Sequence, residues 1–290
     1  MSMVSSAVLL AAEFTSPGPI AFHLGPIVVR WYGILIASAV LLGVSLSQKL
    51  ASKQNIDPEL INDLAIWLVV GALPCARLYY VLFQWKDYAA NPSKAIAIWE
   101  GGIAIHGAII GGTIAALIFA KLRQISFWRL ADIVAPALIL GQAIGRWGNF
   151  FNSEAYGAPT DLPWKLLIPL SQRPPGLETV AYYHPTFLYE SLWNLMVFGI
   201  LMTLVIRDRQ GHLNLRSGTI FLAYAIFYSL GRVWIEGLRM DSLMWGPLKM
   251  AQMVSLAGVL LGIAGLAWLY GVKRSLPDVA APDSVPTVSE

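Results

Sequence analysis

Residues 133–157 read IVAPALILGQAIGRWGNFFNSEAYG, an apolar run followed at once by a polar motif. The first thirteen of these residues carry no formal charge, whereas an arginine, two asparagines and a glutamate follow from Arg146 onward. An apolar run of this kind suits a helix inside a membrane, where charged groups are costly and mark a functional site by default. The glycines of the motif allow tight turns or close backbone approach, so we predict that Arg146, Asn149 and Asn152 converge on one ligand.

The composition of the chain is that of a polytopic membrane protein. Of its 290 residues, 57% are hydrophobic and 13% are charged, whereas a soluble domain carries about 25% charged residues. The net charge of +3 is small and its cations lie mainly in short loops, which indicates membrane topology and argues against nucleic-acid binding. The single cysteine, Cys75, excludes an intrachain disulfide framework and a cysteine-based zinc site.

Seven segments are long and apolar enough to span a bilayer, which takes about 20 residues. The clearest of them, residues 250–272, has no formal charge. The predicted spans are residues 31–48, 64–85, 101–120, 131–148, 185–206, 217–238 and 250–272. The sequence therefore predicts an all-α polytopic membrane protein with seven transmembrane helices.

The distribution of lysine and arginine orients these spans. The connections on the side of the C-terminus hold ten Lys and Arg residues in short loops, against seven in the longer connections on the other side. The positive-inside rule then places the N-terminus outside and the C-terminus in the cytoplasm. Residues 1–30 become a loosely ordered or interfacial extracytoplasmic arm, and residues 31–272 the transmembrane catalytic domain. Residues 273–290, rich in proline and poor in large apolar side chains, become a disordered cytoplasmic tail.

The same orientation puts the longest connection, residues 149–184, outside the membrane. Its five prolines exclude one long helix, so we expect a small extracytoplasmic head of short helices or turns.

Two further clusters hold polar residues within predicted spans. His106 is surrounded by five glycines, and such glycines commonly serve close helix packing around a hydrogen-bonded histidine. The other interpretation is that His106 acts as a general base, since imidazole exchanges protons at physiological pH. In the sixth span, Tyr228, Arg232, Glu236 and Arg239 recur at helical spacing along one face, which predicts an Arg232–Glu236 ion pair in a polar interior.

Because successive spans run in opposite directions, these groups all fall in the outer half of the bilayer, together with Arg77 and Tyr32. A cluster of arginines there suits an anion, and phosphate best matches paired guanidinium contacts. A transporter or channel for an anionic solute would also need intramembrane arginines. The chain lacks an internal repeat, and its one-sided cluster offers no path to the cytoplasm. A non-catalytic lipid-binding scaffold is a third possibility.

The polar motifs together resemble those of the bacterial phosphatidylglycerol–prolipoprotein diacylglyceryl transferase family over roughly residues 25–272. The similar stretches begin at Trp31-Tyr32-Gly33, Ala76-Arg77-Leu78, His106-Gly107, Gly145-Arg146, His184-Pro185 and Tyr228, the last continuing through Arg232, Glu236 and Arg239. The resemblance implies a multi-pass protein of the bacterial inner membrane that uses no cofactor and no metal. Its partners would be the lipid bilayer, phosphatidylglycerol and the signal peptide of a prolipoprotein with its lipobox cysteine.

The resemblance also implies the reaction, in which the diacylglyceryl group of phosphatidylglycerol moves to the lipobox thiol and glycerol-1-phosphate leaves. On this hypothesis the catalytic residues are His106, as base or positioning group, with Arg146 and Arg232 on the phosphate. Asn149 and Glu154 would orient the headgroup, and Glu236 would hold Arg232. The full set of expected substrate-binding residues is Tyr32, Arg77, Asn149, Asn152, Glu154, Gly157, Tyr228, Glu236 and Arg239.

Overall fold

Helices carry the architecture of the chain. The computed structural model describes residues 13–89, 91–242 and 244–271. Within them the helices are α1 (Trp31–Ser52), α2 (Glu59–Phe83), α3 (Trp85–Tyr88), α4 (Ile105–Leu122), α5 (Phe127–Asn152), α6 (Thr186–Arg209), α7 (Thr219–Leu238) and α8 (Met250–Gly271). Six of these, α1, α2, α4, α5, α6 and α8, are long and apolar enough to cross a membrane. The prediction of a helical, polytopic membrane protein is thereby confirmed.

Helix α7 coincides with the sixth predicted span but is not among those six. Its two charged residues, Arg232 and Glu236, lower its hydropathy, and the Glu236 side chain is buried. The helix packs against α5, α6 and α8, so its polar face has protein neighbours. The seven-span count and the orientation remain predictions.

Short strands join the parts of the chain outside these helices. They are β1 (Phe14–Thr15), β2 (Ile20–Leu24), β3 (Ile27–Arg30), β4 (Leu166–Leu167), β5 (Tyr182–Tyr183), β6 (Met244–Trp245) and β7 (Leu248–Lys249). Strand β4 pairs in parallel with β1 and antiparallel with β5, while β2–β3 and β6–β7 form hairpins.

The N-terminal arm and the head differ from the sequence prediction. The arm was expected to be loosely ordered or interfacial, but residues 20–30 form a hairpin and strand β1 joins the sheet of the head. The head was expected to hold short helices or turns, and strands β4 and β5 lie within it as well. Strands of two residues leave no periodic signal, and their partners are distant in sequence. Residues 1–12 of the arm and the predicted tail at 273–290 lie outside the described residues.

Helices α2 and α4 touch through their backbones. A Cβ atom on Gly107 would lie 2.3 Å from the carbonyl oxygen of Cys75, and one on Gly111 would lie 2.3 Å from that of Gly71. Gly107 and Gly111 therefore serve the close helix packing of one interpretation, although the hydrogen-bonded histidine that it included is not found among the described residues.

Asp132 of α5 fixes the N-terminal end of α7. Its carboxylate accepts hydrogen bonds from the backbone N–H groups of Gly218, at 2.6 Å, and Phe221, at 2.8 Å. These donors belong to the first turn of α7, where a carboxylate satisfies otherwise unpaired N–H groups and favours the helix dipole. Because Asp132 belongs to α5, this contact attaches the start of α7 to α5.

Replacing Gly111 by alanine is expected to destabilise the protein by about 1–3 kcal/mol, because the added methyl group would overlap the backbone of Gly71. Thermal unfolding in detergent, followed by circular dichroism, measures the change. The matched control is Gly112→Ala, where the nearest atoms to the new Cβ are 3.9 Å away. That variant should be as stable as the parent or more so, since alanine favours helix over glycine. Equal stability of the two variants would contradict the packing.

Candidate functional site

A buried carboxylate joins arginines from two other helices at the centre of the site. Glu190, near the start of α6, is 3% exposed. Its Oε1 lies 2.7 Å from Nη2 of Arg146 on α5, and its Oε2 accepts from Nη1 of Arg232 on α7 at 3.2 Å. We call Arg146, Glu190 and Arg232 the charged layer. Unpaired buried charges are costly in an apolar bundle, so this layer couples the positions of three helices.

Arg232 is held by a second carboxylate on its own helix. Its Nη2 pairs with Oε2 of Glu236, four residues along α7, which confirms the predicted ion pair. The other carboxylate oxygen of Glu236 accepts from the Ser242 hydroxyl at 2.6 Å, and Lys249 Nζ donates to the Glu236 backbone carbonyl at 2.8 Å. The Arg232 guanidinium is thus fixed between two buried acids.

The motif around Arg146 begins inside helix α5 and continues past the end of this helix at Asn152. Nη1 of Arg146 donates to Oδ1 of Asn149 at 3.3 Å, and the amides of Asn149 and Asn152 both donate to Oε1 of Glu154 at 3.1 Å. The polar groups of the motif thus converge on one another, and their convergence on one ligand stays a prediction.

The sequence allowed either tight turns or close backbone approach at the glycines of the motif, and Gly145 and Gly148 make no turn because they lie within helix α5. The helix continues to Asn152, and the left-handed backbone falls at Ser153 (φ 52°) and Ala155 (φ 56°). Gly148 instead permits a close approach, since a Cβ there would lie 2.3 Å from the ring of Tyr32. This packing brings Tyr32 of α1 against the helix that carries Arg146 and Asn149.

Gly157 of the head pairs with Arg239, which directly follows α7. The two residues pair as an isolated β-bridge, and the Gly157 N–H donates to the His184 carbonyl at 3.0 Å. Arg239 makes two hydrogen bonds to Asp241, at 2.9 and 2.8 Å. Burial alone would raise the pKa of Asp241, but the hydrogen bonds and charge of Arg239 together lower that pKa below its usual value.

His184 and Tyr189 form a neutral pair beside Glu190. Nδ1 of His184 lies 3.2 Å from the Tyr189 hydroxyl, which also accepts from Trp164 Nε1 at 2.9 Å. Burial lowers the pKa of His184, so its imidazole is neutral at pH 7.

Arg77 is placed apart from the charged layer. Its buried guanidinium donates to four backbone carbonyls, those of Lys94 (2.6 Å), Ala95 (2.8 Å), Gly101 (2.5 Å) and Gly102 (2.9 Å). Arg77 therefore holds the segment between α3 and α4 against α2. No contact between described residues joins it to Arg146 or Arg232, and a direct role on the substrate stays a prediction.

His106 lies in the first turn of α4 with its side chain exposed. Its ring stacks on that of Tyr79, with centroids 5.8 Å apart, and it forms no hydrogen bond among the described residues. The structure does not bring His106 into contact with the charged layer. Its exposed ring nitrogens remain available to a ligand.

Three residues of the site had no assigned role in the sequence analysis. Glu190 was part of a noted motif, but its bridging position depends on tertiary contacts. Gln142 and Asn194 are neutral amides within spans and attract no notice as single residues. Asn194 is 1% exposed, and neither its Nδ2 nor its Oδ1 has a partner in the described part of the chain.

Helix α5, which carries Arg146, contributes to a polar and to an apolar cavity. The polar cavity, of about 520 Å³, is lined by Asn152, Glu154 and Asp241 among others. The apolar cavity, of about 420 Å³, lies between α1, α2 and α5, has mainly aliphatic walls and reaches Gln142 and Gly145. Arginines on a helix that lines cavities of such different polarity suit an anionic headgroup joined to an apolar chain.

The sequence of this chain is similar to those of known proteins over most of its length. The sequence model of a family described as prolipoprotein diacylglyceryl transferase matches residues 19–268. The phosphatidylglycerol–prolipoprotein diacylglyceryl transferase of Trichormus variabilis is 66% identical over 275 residues, which cover 95% of this chain and 98% of the relative. The protein of that name from Nostoc sp. is 66% identical over 273 residues, with coverage of 94% and 96%.

A more distant relative agrees as well. The protein of the same name from Gloeobacter violaceus is 60% identical over 257 residues, which cover 88% of this chain and 94% of the relative. On the strength of the family match and of these relatives, the chain belongs to the prolipoprotein diacylglyceryl transferase family.

Proposed function

We propose that this chain transfers the diacylglyceryl group of phosphatidylglycerol to the lipobox cysteine thiol of prolipoproteins. A carbon–sulfur bond forms at the glyceryl carbon, the bond from that carbon to the phosphate oxygen breaks, and glycerol-1-phosphate leaves. The thiol proton passes to a base. The observation that carries this proposal is the arginine pair of the charged layer, held by Glu190, on a bundle whose helix α5 also lines an apolar cavity at Gln142 and Gly145.

Arg146 and Arg232 bind the phosphate on this proposal. A guanidinium has five N–H donors, and Arg146 uses two of them on Glu190 and Asn149. Its remaining donors can bind phosphate oxygens without breaking those contacts. As the carbon–oxygen bond breaks, negative charge grows on the leaving phosphate, and prearranged cations stabilise that charge.

His106 is proposed as the base or as a positioning group for the substrate thiol. The thiolate is the reactive form of cysteine, so a base near the thiol is useful. Exposure of the imidazole and the lack of a hydrogen-bond partner among the described residues leave it free for this task. Tyr32 and Tyr228 would position the lipid or the peptide.

The proposed topology has seven spans, with the N-terminus outside, the C-terminus in the cytoplasm and the head at residues 149–184 outside the inner membrane of a bacterium. Support comes from α7, which packs against α5, α6 and α8 as a seventh long helix of the bundle. In a Cys75→Ala background, Ser171→Cys should react with a membrane-impermeant maleimide in intact cells. Gln210→Cys should react only after permeabilisation. The reverse labelling pattern would contradict the orientation.

Arg146→Ala is expected to lower turnover by about 10²–10³-fold, because it removes a prearranged cation at the developing phosphate charge. Arg146→Lys should recover only part of the loss, since an ammonium cannot form the paired contacts. Release of glycerol-1-phosphate from phosphatidylglycerol, with a lipobox peptide as acceptor, measures both variants.

The control for Arg146 is Arg123→Ala. Arg123 also belongs to an arginine–carboxylate pair, with Asp63, but both side chains are well exposed. This variant should keep full activity. Full activity in Arg146→Ala would exclude the phosphate role. Solute flux without release of glycerol-1-phosphate would favour a transporter, and lipid binding with neither would favour a scaffold.

His106→Gln is expected to lower turnover by about 10²–10⁴-fold, because glutamine keeps a polar side chain but cannot accept the thiol proton. Initial rates from mildly acidic to alkaline pH measure the effect. His212→Gln, at an exposed position between α6 and α7, is the matched control and should behave as the parent. If His106→Gln retains turnover across the pH range, His106 is not the base.

A further inference from the structure

A second set of polar residues lies one helical turn below the charged layer. Each of its members is four residues from a charged-layer residue on the same helix, on the side away from the head. Four residues correspond to about 6 Å along a helix axis. This second layer consists of Gln142 on α5, Asn194 on α6 and Tyr228 on α7.

The contacts place the second layer at the junction of three helices. Gln142 Nε2 donates to the Tyr224 hydroxyl at 2.9 Å, and the rings of Tyr224 and Tyr228 stack with centroids 5.8 Å apart. Trp193, next to Asn194, donates from Nε1 to the Phe227 carbonyl at 2.9 Å. Asn194 of α6 is thus at the level of Tyr228 of α7.

Three hydrogen-bonding atoms of the second layer lack partners in the part of the chain that the structure describes. Asn194 is 1% exposed, and both its amide nitrogen and its oxygen are unpaired among the described residues. The Oε1 of Gln142 is also buried and unpaired there. Buried amides are hydrogen-bonded as a rule, so an unpaired one needs an explanation. The next residues on this face of α6, Val197 and Leu201, are apolar and 0% exposed. Asn194 is therefore the last polar group above an apolar core.

We infer that the second layer binds the ester carbonyls of the diacylglyceryl group whose phosphate is held by the charged layer. This inference rests on the proposed function. In a diacyl phospholipid, two neutral ester carbonyls follow the charged phosphate on the way to the acyl chains, and they only accept hydrogen bonds. Asn194 Nδ2 is a buried donor without an acceptor among the described residues, and Tyr228 brings a hydroxyl, which can also donate, to the same level.

Charged, neutral polar and apolar groups follow one another in the protein in the same order as in the lipid. The charged layer faces the phosphate and the second layer the esters. The aliphatic cavity that begins at Gln142 is the natural place for an acyl chain. Because Asn194 is buried, side chains of the second layer must adjust when the lipid binds. The consequence is a preference for ester-linked over ether-linked glycerolipids, since an ether has no carbonyl to accept from Asn194.

The experiment compares ester-linked phosphatidylglycerol with its diether analogue, which has the same headgroup, chain length and stereochemistry. Release of glycerol-1-phosphate in the presence of a lipobox peptide gives kcat/KM for each lipid. The parent protein should favour the ester by at least about tenfold, as for loss of a hydrogen bond in a buried site. Asn194→Leu should bring the ratio close to one, mainly by losing activity on the ester lipid.

Two control variants separate this effect from a loss of folding. Val197→Ala alters the same buried face of α6 at an apolar position and should lower both activities while keeping the ratio. Asn194→Leu should melt no lower than the parent, because it replaces an unpaired amide by an apolar group. Tyr228→Phe removes only a hydroxyl and should lower the ratio without a change in melting temperature.

The outcomes distinguish the inference from the proposed function. An unchanged ester preference in both Asn194→Leu and Tyr228→Phe would overturn the inference and leave the proposed function standing. Equal activity of the parent on both lipids would do the same. A parent protein that releases no glycerol-1-phosphate from the ester lipid would overturn both.

Discussion

The ion pairs of Glu190 with Arg146 and Arg232 are the constraint on which the site depends. Three charges in an apolar bundle are tolerated only when each has a partner, so the ends of α5, α6 and α7 must stay in one register. This arrangement makes α7 less apolar than the other long helices, because Arg232 and Glu236 lower its hydropathy. The polar face of α7 therefore needs neighbouring helices to cover it. The contact of Asp132 with the start of α7 fixes the same helix at its other end.

Much of the fold was predictable because long apolar runs encode helices directly. Each long helix lies close to a predicted span, and the pair of Arg232 with Glu236 follows from local spacing alone. Contacts between distant residues were not predictable. The sequence did not reveal that Glu190 bridges two helices, or that the strands of the arm pair with those of the head. Helix α5 runs four residues past the predicted span, to Asn152, and the close approach that the glycines allowed is found at Gly148, against the ring of Tyr32.

The candidate site was predicted as one pocket, and the structure divides its residues into two groups. The first is the charged layer with the polar residues of α5 and α7 around it. The second lies on α2 and α4, where His106 stacks on Tyr79 and Arg77 binds backbone carbonyls. An arginine inside a predicted span is unusual, so the sequence drew attention to Arg77. Only the fold shows that its N–H groups donate to backbone carbonyls of the same chain. A buried arginine satisfied by carbonyls has the same sequence signature as one that binds an anion.

The backbone contact between α2 and α4 has a mechanical consequence. Gly107 and Gly111 leave no space between the two helices, and Arg77 secures the segment that connects them. Helices α2 and α4 with this connection therefore form a stiff unit that carries His106 at its edge. Because His106 belongs to this unit, a movement of the unit relative to α5 would change the distance from His106 to Arg146. Such a movement would change the width of the aliphatic cavity between α2 and α5, so the approach of the imidazole and the space for an acyl chain are geometrically linked.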